Sequence, residues 1–164
     1  VSALDGLTPP PYTTTDLRRV FDRDDVDAVI IATSTHWHAL AAIWALEAGK
    51  DVYLEKPIAL TVGEGRQIVA AAARHQRIVQ TGTQLRSDAH LNEAITVVRS
   101  GEFGKIQWIH ALTYKQREPI GLELPWYPDW LDYDLFCGPT PHAPYDALSS
   151  TMTGIGCGIP AMAT

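Results

Sequence analysis

From Val26 onward the apolar positions of the chain change period several times, and each change marks an element. Val26-Asp27-Ala28-Val29-Ile30-Ile31-Ala32-Thr33 is a near-continuous apolar run, the pattern of a parallel strand covered on both faces. Ser34 and Thr35 make a tight polar turn. A helix then runs from about Trp37 to Ala48, with Leu40, Trp44 and Ala48 on one stripe and Gly49 as its stop. Asp51-Val52-Tyr53-Leu54-Glu55 reads as the next short buried strand, ended by Pro57, which has no N–H to give a ladder. Thr61 with Glu64 three residues later is a capping box for a helix reaching about His75 through Ile68, Val69 and Ala72. Arg77-Ile78-Val79-Gln80-Thr81 is a third strand, broken by Gly82. Ser87 is placed to cap a helix carrying Leu91, Ile95 and Val98, stopped by Gly101. Lys105 to Tyr114 alternates like a half-buried strand. Ahead of all this, Thr15 caps a short helix from Asp16 to Asp22, and Val1 to Tyr12, ending Pro9-Pro10-Pro11, reads as a linker.

Strand, helix, strand, helix, strand implies parallel βαβ units with right-handed crossovers. The fold class is therefore α/β. Three strands alone leave exposed edges, so the pattern is expected to be the second half of a doubly wound sheet whose first half would precede Val1. After Arg117 the texture changes. Tryptophan, proline and aspartate crowd Pro125 to Tyr145 with little periodicity.

The 164 residues suffice for one real core, and 46% hydrophobic with 20% charged residues is ordinary for a globular chain. A net charge of −6 argues against a nucleic-acid partner. No apolar run approaches the roughly 20 residues of a membrane span. Cys137 and Cys157 make neither a disulfide framework nor a zinc site, and the six histidines show no metal-ligand spacing, so no metal is expected. Localisation stays open.

Candidate chemistry concentrates at Glu55-Lys56-Pro57. Two charges at the carboxyl end of a strand suit a ligand crevice, because open α/β sheets bind ligands beyond those ends. The triplet alone serves a solvated strand end equally well. Neighbouring pieces shift the balance: Val29-Ile30-Ile31-Ala32-Thr33, His36-Trp37-His38-Ala39, Glu47-Ala48-Gly49-Lys50 and Gln80-Thr81-Gly82-Thr83-Gln84. In this order and spacing they resemble the nucleotide-binding domain of the Gfo/Idh/MocA oxidoreductases, the glucose-fructose oxidoreductase and inositol dehydrogenase family. The likeness resumes at Val98-Arg99-Ser100-Gly101, Gly104-Lys105-Ile106, Leu131 to Phe136, Gly138-Pro139 and Pro144-Tyr145.

The resemblance implies a Rossmann-type domain binding NAD or NADP, followed by an α+β domain that covers a sugar or polyol substrate and often mediates homo-oligomers. The expected domains are a partial Rossmann domain over 1–85, the start of the α+β domain over 86–147 and an aberrant tail over 148–164. Lys56 is implied to be the active-site lysine, stabilising a developing alkoxide as hydride leaves. Glu55 and Pro57 are implied to shape the nicotinamide pocket. The turn of Ala32, Thr33, Ser34 and Thr35 is implied to pass under the cofactor, with His38 completing it and Gln84 continuing the crevice floor. His38 as a simple helix cap is the competing reading. Ser34 and Thr35 stand where relatives commonly carry proline then Asp or Asn. No Gly-x-Gly-x-x-Gly occurs before Val26, and the Asp-x-x-x-His region of the family's second proton-transfer group is also absent.

Outside these motifs, Trp108 and His110 read as sheet packing, His75 and His142 as surface residues, and Glu118 and Glu123 as solvated. Trp126, Tyr127, Trp130 and Tyr133 suit either loop packing or a sugar pocket. Leu148 to Thr164 lacks periodicity, charge and capping logic. Read one base earlier, with T as the preceding third base, the codons of Gly154, Gly156 and Gly158 become tryptophan codons within a string that permits Trp-His-Trp, so the tail is expected to be out of frame. A chain of this extent is expected to bind NAD weakly. Hydride transfer on a hydroxyl compound, NAD-dependent glycoside cleavage on the same fold, and a non-catalytic remnant or partner-binding fragment are the three functional readings.

Overall fold

The computed structural model describes residues 10–112 and 129–140. The chain divides into two compact units, Val1–Thr81 and Gly82–Thr164.

In the first unit, α1 (Arg18–Phe21) precedes β1 (Ala28–Ile31), α2 (Thr35–Glu47), β2 (Asp51–Glu55), α3 (Val62–His75) and β3 (Val79–Gly82), whose last residue begins the second unit. The sheet order is β1-β2-β3. β1 and β2 are parallel and in register from Ala28↔Asp51 to Ile31↔Leu54, so their carboxyl ends finish level. The Asp51 side chain accepts the Ile78 N–H at 2.9 Å and Val52 donates to the Ile78 carbonyl at 2.9 Å, which docks the start of β3 beside β2. Alternation of strand and helix with short turns thus produces the α/β class expected.

The core lies between one sheet face and the helices. Val29, Ile31, Val52 and Leu54 meet Ala41, Ala42, Ala45 and Leu46 of α2 and Ile68 and Ala71 of α3. The expected stripe Leu40, Trp44 and Ala48 is not the deep face of α2; its alanines are. Small side chains let that helix approach its neighbours closely, which outweighs the larger apolar residues' claim to the interior. The run through β1 is also covered on one face only by the described residues. Val29 and Ile31 point inward while Ile30 is 76% exposed.

Local chemistry sets most boundaries as expected and moves some. Thr61 and Glu64 form the capping box of α3. Thr15 does not cap α1: that helix is one turn, its N-cap is Leu17, and Asp16 takes the Arg18 N–H and guanidinium instead. The third strand begins at Val79 rather than Arg77, because Gln76 ends α3 in the left-handed conformation at φ 53° and spends the next residues on the turn.

In the second unit, α4 (Ala89–Ser100) is capped by Asp88, not Ser87. The Asp88 carboxylate accepts the Leu91 N–H at 3.0 Å, and Gly101 closes the helix at φ 81°. Leu91, Ile95 and Val98 form its stripe, and no residue of α4 is buried among the described ones. The strand expected over Lys105 to Tyr114 is absent from its described part, 105–112, which is exposed and has no ladder partner there. Alternation supplies a face but not a neighbour, and a strand needs both. Trp108 and His110 still touch, ring centroids 5.8 Å apart. A five-residue helix, α5 (Tyr133–Cys137), is capped by Asp132. Tyr133 stacks on Phe136 at 6.4 Å, and Trp130 is exposed. Glu118, Glu123, Trp126, Tyr127, His142, Cys157 and the tail from Leu148 lie outside the described residues.

Candidate functional site

The site is built where β1 and β2 end. Beyond Ile31 the chain leaves the sheet through Ala32 and Thr33, both exposed, then Ser34 and Thr35, both half-buried. Ser34 is the N-cap of α2, with extended backbone at φ −65° and ψ 142°. Its carbonyl accepts the Trp37 N–H at 2.9 Å, but its side chain makes no capping bond. A polar turn with an uncommitted hydroxyl therefore faces the positive end of a 13-residue helix, the arrangement that suits an anionic group.

Beyond Leu54, which is wholly buried, Glu55 is half-buried and Lys56 and Pro57 are exposed. The Lys56–Pro57 peptide is cis. The Glu55 carboxylate accepts the backbone N–H of Lys56 at 3.3 Å. Among the described residues no carboxylate or carbonyl takes the Lys56 ammonium. The structure thus presents an exposed cation at the strand end, beside a carboxylate that is turned to the backbone. The capping box that follows fixes the far side of this turn: Glu64 accepts the N–H groups of Leu60 at 2.7 Å and Thr61 at 3.2 Å.

His38 joins the two turns. It is 2% exposed. Its Nε2 lies 3.0 Å from the Thr33 carbonyl and its Nδ1 2.5 Å from the Pro57 carbonyl. The ring is committed to backbone on both sides, so it sits beneath the turns rather than lining their open side. Ala32, Thr33, Ser34, Thr35, His38, Glu55, Lys56 and Pro57 are thus brought together in the first unit. Gln84, exposed in the turn after β3, belongs to the second.

A cleft of about 550 Å³ runs beside β1 and is lined by Thr14, Thr15, Phe21, Ile30, Ala32 and Thr33, among others. Thr14 carried no motif and Thr15 was read only as a helix cap; their approach to the end of β1 in space is what places them beside the site. The described residues contain no group of three or more His, Cys, Asp and Glu side chains that could hold a metal ion. No helix among them is long and apolar enough to cross a membrane.

A parallel sheet whose strand ends feed a polar helix-capping turn and a solvent-facing lysine defines a nucleotide-binding segment of the Rossmann type. Residues 8–83 match the family described as Oxidoreductase family, NAD-binding Rossmann fold, GFO_IDH_MocA. Among solved structures, the chain is similar to myo-inositol 2-dehydrogenase from Lactobacillus plantarum, with TM-score 0.53 and 31% identity over 57% of this chain and 28% of that one. It is also similar to a probable dehydrogenase from Thermotoga maritima, with TM-score 0.52 and 27% identity over 56% and 28%. Among curated relatives, the alpha-N-acetylgalactosaminidase of Shewanella oneidensis is 37% identical over 117 residues, 67% of this chain and 26% of the relative. The chain thus spans about a quarter of the length of the curated relatives it matches.

Proposed function

We propose that this chain is part of an NAD(P)-dependent oxidoreductase acting on a hydroxyl of a sugar, polyol or related compound, with Lys56 as the catalytic cation. The observation that carries this reading is the Lys56 ammonium, exposed and without a partner among the described residues, at a strand end level with the Thr33–Ser34–Thr35 turn. Residues 1–85 are read as the cofactor-binding portion and 86–147 as the start of a substrate-covering domain, with 148–164 as an out-of-frame tail.

The residues present fit one part of a dinucleotide. The exposed backbone of Ala32 and Thr33, the free side chain of Ser34 and the N-terminal turn of α2 suit its phosphates and ribose hydroxyls. Glu55 and Pro57 wall the end nearer Lys56. When bound, the nicotinamide supplies the acceptor or donor of a hydride. Lys56 Nζ hydrogen-bonds the substrate oxygen and stabilises negative charge on it as its proton passes to solvent; in the reverse direction it hydrogen-bonds the carbonyl oxygen, which takes its proton from solvent. A flexible lysine suits this role because it is a compact point charge with three donors.

The test is Lys56→Ala in the protein that carries this segment. Turnover should be lost while cofactor affinity stays within a few-fold, since a group acting on the reacting oxygen contributes in the transition state more than in cofactor binding. Turnover surviving within about tenfold would remove Lys56 from the chemistry.

The 37% identity to an alpha-N-acetylgalactosaminidase supports a second reading, glycoside cleavage with a cofactor that is never released. Net hydrolysis of an aryl glycoside without added NAD would favour it. Net, stoichiometric reduction of added NAD by a free polyol would favour the first.

A further inference from the structure

We propose that His38 is the positioning residue of this site: a buried imidazole that bridges the carbonyls of Thr33 and Pro57 and so sets the gap between the polar turn and the Lys56 turn. Both contacts lie within hydrogen-bond range, 3.0 Å from Nε2 and 2.5 Å from Nδ1. Both partners are backbone carbonyl oxygens, which only accept. The ring donates to at least one of them, and in every tautomer it spans the two oxygens.

At 2% exposure the ring cannot turn to water for a partner. No carboxylate bonds the ring among the described residues. The two carbonyls are then its whole compensation, and losing either leaves a buried polar group unpaired.

The clasp has a consequence for the site because of what it joins. Thr33 stands between the end of β1 and the N-cap of α2, and Pro57 directly follows Lys56. The strands fix their own ends through the Ile31↔Leu54 register, but both turns extend past that ladder. Among the described residues His38 is the only side chain that hydrogen-bonds both turns. Ångström-scale misplacement of a reacting group costs rate steeply, so a rigid tie beneath Lys56 has a use that surface loops lack. That consequence rests on the reading of Lys56 given above; the clasp itself does not.

The measurement is amide hydrogen exchange in His38→Phe and His38→Gln of the 164-residue chain. Phenylalanine keeps the ring volume and removes both donors, while the glutamine amide restores two donors on one uncharged nitrogen. In His38→Phe the amides of Ser34, Thr35, Lys56 and Ile58 should exchange about tenfold faster or more, with Val52 and Leu54 unchanged. His38→Gln should recover at least one of the two turns. Uniform acceleration across the sheet, or none in either turn, would sink the proposal. If His38→Phe does not fold, His38→Gln against wild type decides. The measurement uses neither cofactor nor turnover, so an inert Lys56 leaves the clasp standing, and unchanged exchange in both turns leaves the Lys56 reading standing.

Discussion

Thr61 and Glu64 hold each other's backbone. The Thr61 hydroxyl accepts the Glu64 N–H at 3.1 Å, and the Glu64 carboxylate accepts the N–H of Thr61 at 3.2 Å and of Leu60 at 2.7 Å. Three donors at the start of α3 are thereby satisfied a few residues after Lys56. Thr61→Ala should cost about 1 kcal/mol of unfolding free energy by urea titration, and Thr61→Ser much less, because only the hydroxyl is at stake. Equal losses in the two variants would mean that the methyl group, not the cap, carries the effect.

The sheet is covered on one face by the described residues, and two neighbouring positions report it. Leu54 is wholly buried, whereas Ile30, on the other face, is 76% exposed. Leu54→Ala should destabilise the chain by about 2–5 kcal/mol, the range for a buried leucine truncated to a cavity. Ile30→Ser should change it by about 0.5 kcal/mol or less, as for other surface substitutions. A large loss at Ile30 would show that its face is covered in solution.

Elements whose cues are local were legible in the sequence; those depending on a neighbour were not. β2 falls at Asp51–Glu55 as read, because Gly49 and Pro57 bracket it, and the Thr61–Glu64 box fixes α3. The Lys105 to Tyr114 alternation was as clear as any, yet its described part forms no strand. Ser87 and Asp88 are both good caps, and only geometry chooses Asp88. At the site, Glu55, Lys56 and Pro57 were legible as a strand end from the proline that closes it, and their roles came only from the resemblance. His38's placement was not: whether a histidine faces a ligand or reaches back to two carbonyls depends on the level ends of β1 and β2, which pairing alone sets.

Two exposed ion pairs give the acid limb of stability its sign. Hydrogen bonding to the Arg18 guanidinium holds the Asp16 carboxyl below its ordinary value, and the Arg23 guanidinium does the same for Asp25. A carboxyl depressed in the folded state contributes stability that is present above its unfolded value, near 3.8, and is lost as pH falls through the lower folded value. Unfolding free energy should therefore decline as pH drops below about 4, and Asp16→Asn with Asp25→Asn should flatten part of that decline. Both pairs are solvent-exposed, so added salt should shrink the difference between wild type and variant. A salt-independent difference would point to a role other than pairing.

Two helices of the first unit end in the left-handed region, one with the residue suited to it and one without. Gly49 follows α2 at φ 78°, and Gln76 follows α3 at φ 53°. A Cβ on Gly49 would meet its nearest neighbour, Arg77, at 3.9 Å, an ordinary contact. The cost of Gly49→Ala is therefore backbone strain alone, about 1–2 kcal/mol. Gln76 already bears that strain, offset in part by its N–H bonding the Ala72 carbonyl. Gln76→Gly keeps the bond and relieves the strain, so it should raise stability by up to about 1 kcal/mol, less the entropy that glycine adds to the unfolded chain. The pair is read by urea midpoint on one preparation. Opposite signs are expected. Destabilisation in both would mean that the Gln76 side chain holds the α3–β3 turn through a contact worth more than the conformation costs.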